Sequence, residues 1–167
     1  MRRFLALFAT LVLLWALAAQ ANHALAPCHI YLFVGGLFIT YSALGFPLRS
    51  GLAASFLAGL VVDANEPVVF GTHAMLFAAA HALLFHLRDR LPRDDSVGRI
   101  VIALLANFGL FLALSFARAD RSPASVWPRL LADLVCSQIV LAVIAPWFFA
   151  LQSRSLVLAG AETESLL

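Results

Sequence analysis

Lysine is absent from this chain, and all eleven basic residues are arginine. A phosphate-binding loop needs a lysine on its phosphates, and a Schiff base to retinal or pyridoxal phosphate needs the same amine. Both chemistries are excluded. Charge of either sign is scarce, at 12% of residues, where a water-soluble domain carries about 25%. Two cysteines, Cys28 and Cys136, are too few for a metal cage or a disulfide framework and are read as independent small fillers. The longest hydrophilic connection, Arg88 to Arg99, is too short to hide a soluble catalytic domain. Linkers, internal repeats and low-complexity tracts are not evident. The 167 residues read as a single integral membrane domain.

What the chain has instead is hydrophobic length: 63% hydrophobic residues and a mean hydropathy of +0.95. A bilayer core of ~30 Å takes roughly 20 apolar residues of helix. Runs at residues 4–19, 30–48, 51–64, 67–87, 100–117 and 130–151 approach that length, the third being marginal. They lack the alternation of a β-barrel strand. The expected fold is therefore all-α, a polytopic bundle of six transmembrane helices.

Arginine placement tests the marginal third run. With six spans and an inner N-terminus, Arg2, Arg3, Arg49, Arg88, Arg90, Arg93, Arg99 and Arg154 face the cytoplasm, and Arg118, Arg121 and Arg129 face outward. Without that crossing the bias nearly vanishes. The positive-inside rule thus favours six spans with both termini cytoplasmic. The first run, flanked by Arg2-Arg3 and Ala19-Gln20-Ala21, also resembles a cleavable signal peptide. Cleavage would leave the remaining spans oriented the same way.

Polar residues inside the runs are the places to look for function. Asp63 and Asp133 fall at one predicted depth, towards the outer leaflet, but no Gly-x-Gly-Asp sequence surrounds either one. A catalytic dyad is not expected. Asp133 is expected to pair with Arg129 four residues away, and Asp63 to stay hydrated near the interface. His73, His81 and His86 lie on the fourth run. His73 and His81 stand ~12 Å apart along the helix axis, too far to share one metal ion. No metal and no cofactor is expected, and no nucleophile elbow surrounds any serine. Asn107, Ser137 and Gln138 read as interhelical hydrogen-bonding groups, and His81 as bonding a neighbouring helix.

One stretch is more informative than its composition: Gly59-Leu60-Val61-Val62-Asp63, then Pro67, then Gly71-Thr72-His73-Ala74, and an exit at Arg88-Asp89-Arg90. It reads as a helical hairpin, with Pro67 at an early helix position where its missing donor is not needed. The stretch resembles MreD, the small membrane subunit of the bacterial rod-shape complex. That family shows a Gly-Leu-x-x-Asp span end, a glycine eight residues on, often x-His-Ala, and an arginine-rich helix end. Val68-Val69-Phe70 departs from the small residues or proline that the family places before its glycine.

The resemblance implies a fold similar to the substrate-binding subunit of energy-coupling-factor transporters. It also implies a non-enzymatic scaffold for lateral peptidoglycan synthesis and cell shape. Partners would be an MreC-like single-span protein, RodA with a class B penicillin-binding protein, and MreB; nucleic acid is not among them. Asp63 to His73 would set the hairpin's conformation, and Arg88, Arg90, Arg93 and Arg99 would supply a cytoplasmic contact, or simply attract anionic lipid. An alternative of another class is a substrate-binding membrane subunit of a vitamin-type transporter. It requires an outward cavity, to which His29, Asp63, His73 and Asp133 would contribute.

Overall fold

A computed structural model describes residues 2–66, 68–91, 95–119 and 127–158. The described residues form six α-helices and two short 3₁₀ turns, with no strand: α1 (Arg2–Leu25), α2 (Gly35–Gly45), α3 (Leu48–Asp63), α4 (Thr72–Leu87), α5 (Ser96–Ala119) and α6 (Trp127–Leu158). Among the described residues, three stretches are long and apolar enough to cross a membrane: Leu7–Cys28, Ser96–Ala117 and Trp127–Arg154. Their outer faces are apolar, most plainly the ladder Leu131, Val135, Ile139, Val143, Trp147 and Leu151 on α6. In water such a ladder would be a large exposed patch; in lipid it is the solvated face.

The helices depart from the expected runs at identifiable residues. The run 30–48 is not one helix. Ile30–Val34 is irregular, α2 has only eleven residues, and the chain turns at Phe46 and Pro47. Phe46 is extended (φ −127°, ψ 155°), as the residue before a proline prefers. This break lets α3 start at Leu48, three residues before the expected position. In the run 67–87, Pro67 lies outside the described residues, and α4 starts only at Thr72 because Gly71 takes a left-handed conformation (φ 96°). α1, α5 and α6 all run past the expected ends of 4–19, 100–117 and 130–151.

α2 is the axis of the bundle. Every residue from Gly35 to Thr40 is buried, and the helix packs on α3, α4, α5 and α6. A helix apolar on all sides belongs in an interior. Phe38 and Ile39 meet Phe77 of α4 and Leu110 and Leu114 of α5 on one side. Leu37 meets Ala103 of α5 and Leu141 and Ala145 of α6 on the other. α3 and α4 lie along each other as an antiparallel pair, and their connecting turn closes one end of the bundle.

Candidate functional site

The helix start at α4 sets a physical problem. The first N–H groups of any helix lack partners within it, and Gly71 at the cap position has no side chain to offer them. The last residue of α3 supplies what is missing. Asp63 Oδ2 accepts the Gly71 and Ala74 N–H groups at 3.0 and 3.1 Å. Oδ1 accepts the His73 N–H at 2.9 Å and lies 2.8 Å from His73 Nδ1. The carboxylate is enclosed, with no side-chain surface exposed. It sits where the helix dipole is positive and where charge-assisted hydrogen bonds are strongest. Asp63 is therefore not the hydrated interfacial group expected from its position. It is a buried cap supplied by the neighbouring helix.

One turn below, the α3 and α4 backbones touch. A methyl group on Gly59 would run into Ala74 Cα, and would fall 2.6 Å from Ala74 N and 2.8 Å from the His73 carbonyl carbon. Gly59, Asp63, Gly71, His73 and Ala74 thus meet at one place: the glycine permits the approach, and the aspartate locks it. His73 turns its ring edge-on to Phe77 and leaves Nε2 buried, without a hydrogen bond among the described residues. Further down α4, His81 Nδ1 lies 3.0 Å from Ser42 Oγ of α2 and 3.3 Å from Ser55 Oγ of α3. The imidazole rests against Gly51, where any side chain would meet it. This serine–histidine contact is fully enclosed and includes no carboxylate, so it joins three helices rather than forming a nucleophile.

A second set of polar side chains serves the irregular stretch before α2. Non-helical backbone inside an apolar bundle must find partners or leave peptide groups unpaired. Asn22 of α1 takes both backbone groups of Leu32, accepting its N–H at 2.7 Å and donating to its carbonyl at 2.9 Å. Asp133 Oδ1 accepts the Tyr31 N–H at 2.9 Å, and Ser137 Oγ accepts the Phe33 N–H at 2.9 Å, both from α6. Asn107 of α5 accepts the Gly36 N–H and donates to the Phe33 carbonyl, each at 3.0 Å. Gly36 packs so tightly on α5 that a methyl there would strike Ala103 O and Asn107.

The expected Arg129–Asp133 pair is not made: Arg129 is exposed, and the Asp133 carboxylate turns inward to the Tyr31 backbone. Gln138 stands apart, donating to the Leu104 carbonyl at 3.0 Å. Asn22 was not singled out in the sequence. Its signal was an amide about one turn beyond the expected end of the first span, two residues after Gln20.

At the opposite end, the described arginines make different contacts. Arg88 stacks over the Phe85 ring at 3.9 Å, with Asp89 3.8 Å from its Nε, and Arg90 is exposed. Arg99 is half-buried, bonds Ser96 and leans towards Phe149 of α6. Arg93 lies outside the described residues. Of His29, Asp63, His73 and Asp133, Asp63 and His73 are the two joined by a side-chain contact. Asp133 holds Tyr31, and His29 is exposed at the end of a 3₁₀ turn. Cys28 and Cys136 are free thiols. Among the described residues, no three histidine, cysteine or acidic side chains come together as a metal site would require.

The chemistry on display is recognition of backbone by buried side chains. No family model matches this chain, and no curated protein and no solved structure is significantly similar to it.

Proposed function

We propose that this chain is a multi-pass protein of the bacterial cytoplasmic membrane. It would act as a non-enzymatic scaffold of the cell-elongation machinery, similar to MreD, and support lateral peptidoglycan synthesis and cell shape. The observation that carries the proposal is the Asp63 cap. The residues through which the sequence resembles that family are the ones that meet: Gly59, Asp63, Gly71, His73 and Ala74 form one contact. A motif that builds a rigid hairpin, and leaves no reactive group exposed, suits a scaffold better than a catalyst.

The six crossings of this reading are compatible with the short helices. The eleven residues of α2 reach ~16 Å at ~1.5 Å each, and the five irregular residues before it, Ile30–Val34, add to that length towards the roughly 30 Å of a bilayer core. α3 and α4, at sixteen residues each, reach ~24 Å apiece before their connecting turn is counted. Both termini and the Arg88–Arg99 connection then face the cytoplasm.

Partners would bind by helix-surface recognition. A groove of about 490 Å³ runs between α4 and α5, with Ala79, Ala80, Ala106, Gly109 and Ala113 among its lining residues. Small residues let a transmembrane helix approach closely, and a methyl built on Gly109 meets nothing. The occupant of this reading is the span of an MreC-like single-span protein, with RodA, its class B penicillin-binding protein and MreB in the wider complex. The test is co-purification from membranes, followed by identification of the captured chains. An MreC-like protein should be captured by the unsubstituted chain and lost with Gly109→Trp, and depletion should round the cells. Capture of an ATPase pair in its place, with cell shape unchanged, would overturn the reading.

A further inference from the structure

Pro146 lies inside the helix α6 and has no N–H to donate. The Ala142 carbonyl, four residues earlier, therefore lacks the partner that a helix would give it. The proline ring also presses on that carbonyl and tilts it outward. Among the described residues no side chain donates to it, and Ala142 and Pro146 are both exposed on the outer face. Ala142 stands near the middle of the apolar stretch Trp127–Arg154, beyond the reach of water in a membrane. An unpaired carbonyl at that depth is costly, and lipid chains carry no donor. The donor must come from protein.

Trp147 carries one on the same face. It is 79% exposed, more than any other large hydrophobic side chain described, and its indole N–H makes no hydrogen bond among the described residues. At 3.6 residues per turn, Ala142 and Trp147 stand about 140° apart, on either side of the exposed line of Ile139, Val143 and Ala150. Trp147 lies about 7.5 Å further along the axis, but its ring leans back towards the helix start while the carbonyl points forward. Within one helix the two groups flank opposite sides of a face and do not meet. A second copy, related by a two-fold axis along the membrane normal, sets each flank against the opposite flank at the same depth. We propose that this chain forms a two-fold dimer through α6, in which Trp147 of each copy donates to the Ala142 carbonyl of the other. Ala142, Pro146 and Ala150 recur every four residues and are compact enough to let the two helices approach closely. None of these residues lines the α4–α5 groove, so the dimer goes beyond the scaffold reading and leaves that groove open.

The full chain with Cys136→Ala keeps Cys28 as its one thiol, exposed and able to carry a donor or an acceptor dye. The purified chain is labelled in two pools and reconstituted in phosphatidylethanolamine–phosphatidylglycerol vesicles. Energy transfer between the pools should appear and should fall as lipid dilutes the protein. Trp147→Phe keeps an aromatic ring and removes both symmetry-related bonds, so the dimer should weaken by about tenfold. Pro146→Ala gives the carbonyl a donor in its own helix. It should weaken the dimer by about threefold or more, while helix content by circular dichroism holds or rises. Combined, the two should weaken it hardly more than Trp147→Phe alone, since they act on one bond. Trp127→Phe, at the start of the same helix, should change nothing. Absence of transfer at every protein-to-lipid ratio would mean that lipid or a foreign helix covers this face, and would overturn the dimer. Transfer that either Trp147→Phe or Pro146→Ala leaves at full strength, or that Trp127→Phe weakens equally, would overturn it as well. If Trp147→Phe loses its helix content, Pro146→Ala decides alone.

Discussion

The start of α4 and the approach to α2 face the same difficulty and resolve it in opposite ways. Each leaves backbone N–H groups without helical partners inside an apolar bundle. At α4 a single carboxylate, eight to eleven residues away in sequence, accepts three of them together with an imidazole. At α2 the work is divided among Asn22, Asn107, Asp133 and Ser137, drawn from three helices and up to 104 residues away. The first is local, charged and concentrated. The second is distant, largely neutral and distributed. A concentrated device should fail as a unit, whereas a distributed one should fail in parts.

The largest loss should follow from Asp63→Ala. It removes the acceptor of the Gly71, His73 and Ala74 N–H groups and leaves all three, with the His73 ring, without that partner. Leaving a buried donor without its acceptor costs about 1–3 kcal/mol, more where the acceptor is charged, and here three donors lose one carboxylate. Denaturation in detergent should show that loss, and His73→Phe introduced on top of it should add little, because the two residues act through one contact. Full additivity of the two changes would mean that the carboxylate and the imidazole stabilise the hairpin separately.

Asn107→Leu should come next. It strands the Gly36 N–H and the Phe33 carbonyl in the core, and an unsatisfied buried group costs about 1–3 kcal/mol. Because Asn22, Asp133 and Ser137 still hold their own peptide groups, the stretch should stay in place and lose only one attachment. Hydrogen exchange should therefore quicken at Gly36 more than at Leu32. Uniform acceleration from Tyr31 to Gly36 would show that this region, too, fails as a unit.

The same contrast explains how much could be read from the sequence. The hairpin was legible because its parts are close: Asp63, Gly71 and His73 fall within eleven residues, and the glycine interrupts an otherwise helical run. Their mutual bonding was not, since spacing alone cannot distinguish an aspartate facing water from one facing the next helix. Ile30–Val34 was misread as helix because Ile30, Tyr31, Leu32, Phe33 and Val34 are uniformly apolar. Hydropathy reports burial without reporting backbone conformation. The clue lay elsewhere, in polar residues on other helices. Asn107 and Asp133 each carry a desolvation cost that only a distant partner offsets, and no spacing rule links residues that far apart.

Gly59→Ala separates packing from hydrogen bonding within the concentrated device. The added methyl meets the Ala74 backbone, which cannot rotate aside as a side chain would, so α3 and α4 must part. Overpacking of this kind costs about 1–3 kcal/mol. The separation also lengthens the Asp63 hydrogen bonds, so Gly59→Ala and Asp63→Ala should combine to less than their sum. Strict additivity would mean that the glycine approach and the carboxylate cap are independent, and that the hairpin is two devices rather than one.

The smallest effect should come from Gln138→Leu. Gln138 donates to a carbonyl, Leu104 O, that lies within α5 and keeps its helical partner when the amide is removed. Interhelical bonds of this kind average about 0.6 kcal/mol in a membrane bundle. Leucine also replaces a buried amide whose Oε1 makes no hydrogen bond among the described residues, which offsets part of the loss. The change should be close to neutral in a thermal melt. If it instead approaches the cost of Asn107→Leu, polarity in a span is valuable wherever it occurs. If it is near zero, the value of a buried amide here depends on what it rescues: an intact helix needs no help, and the irregular stretch before α2 does.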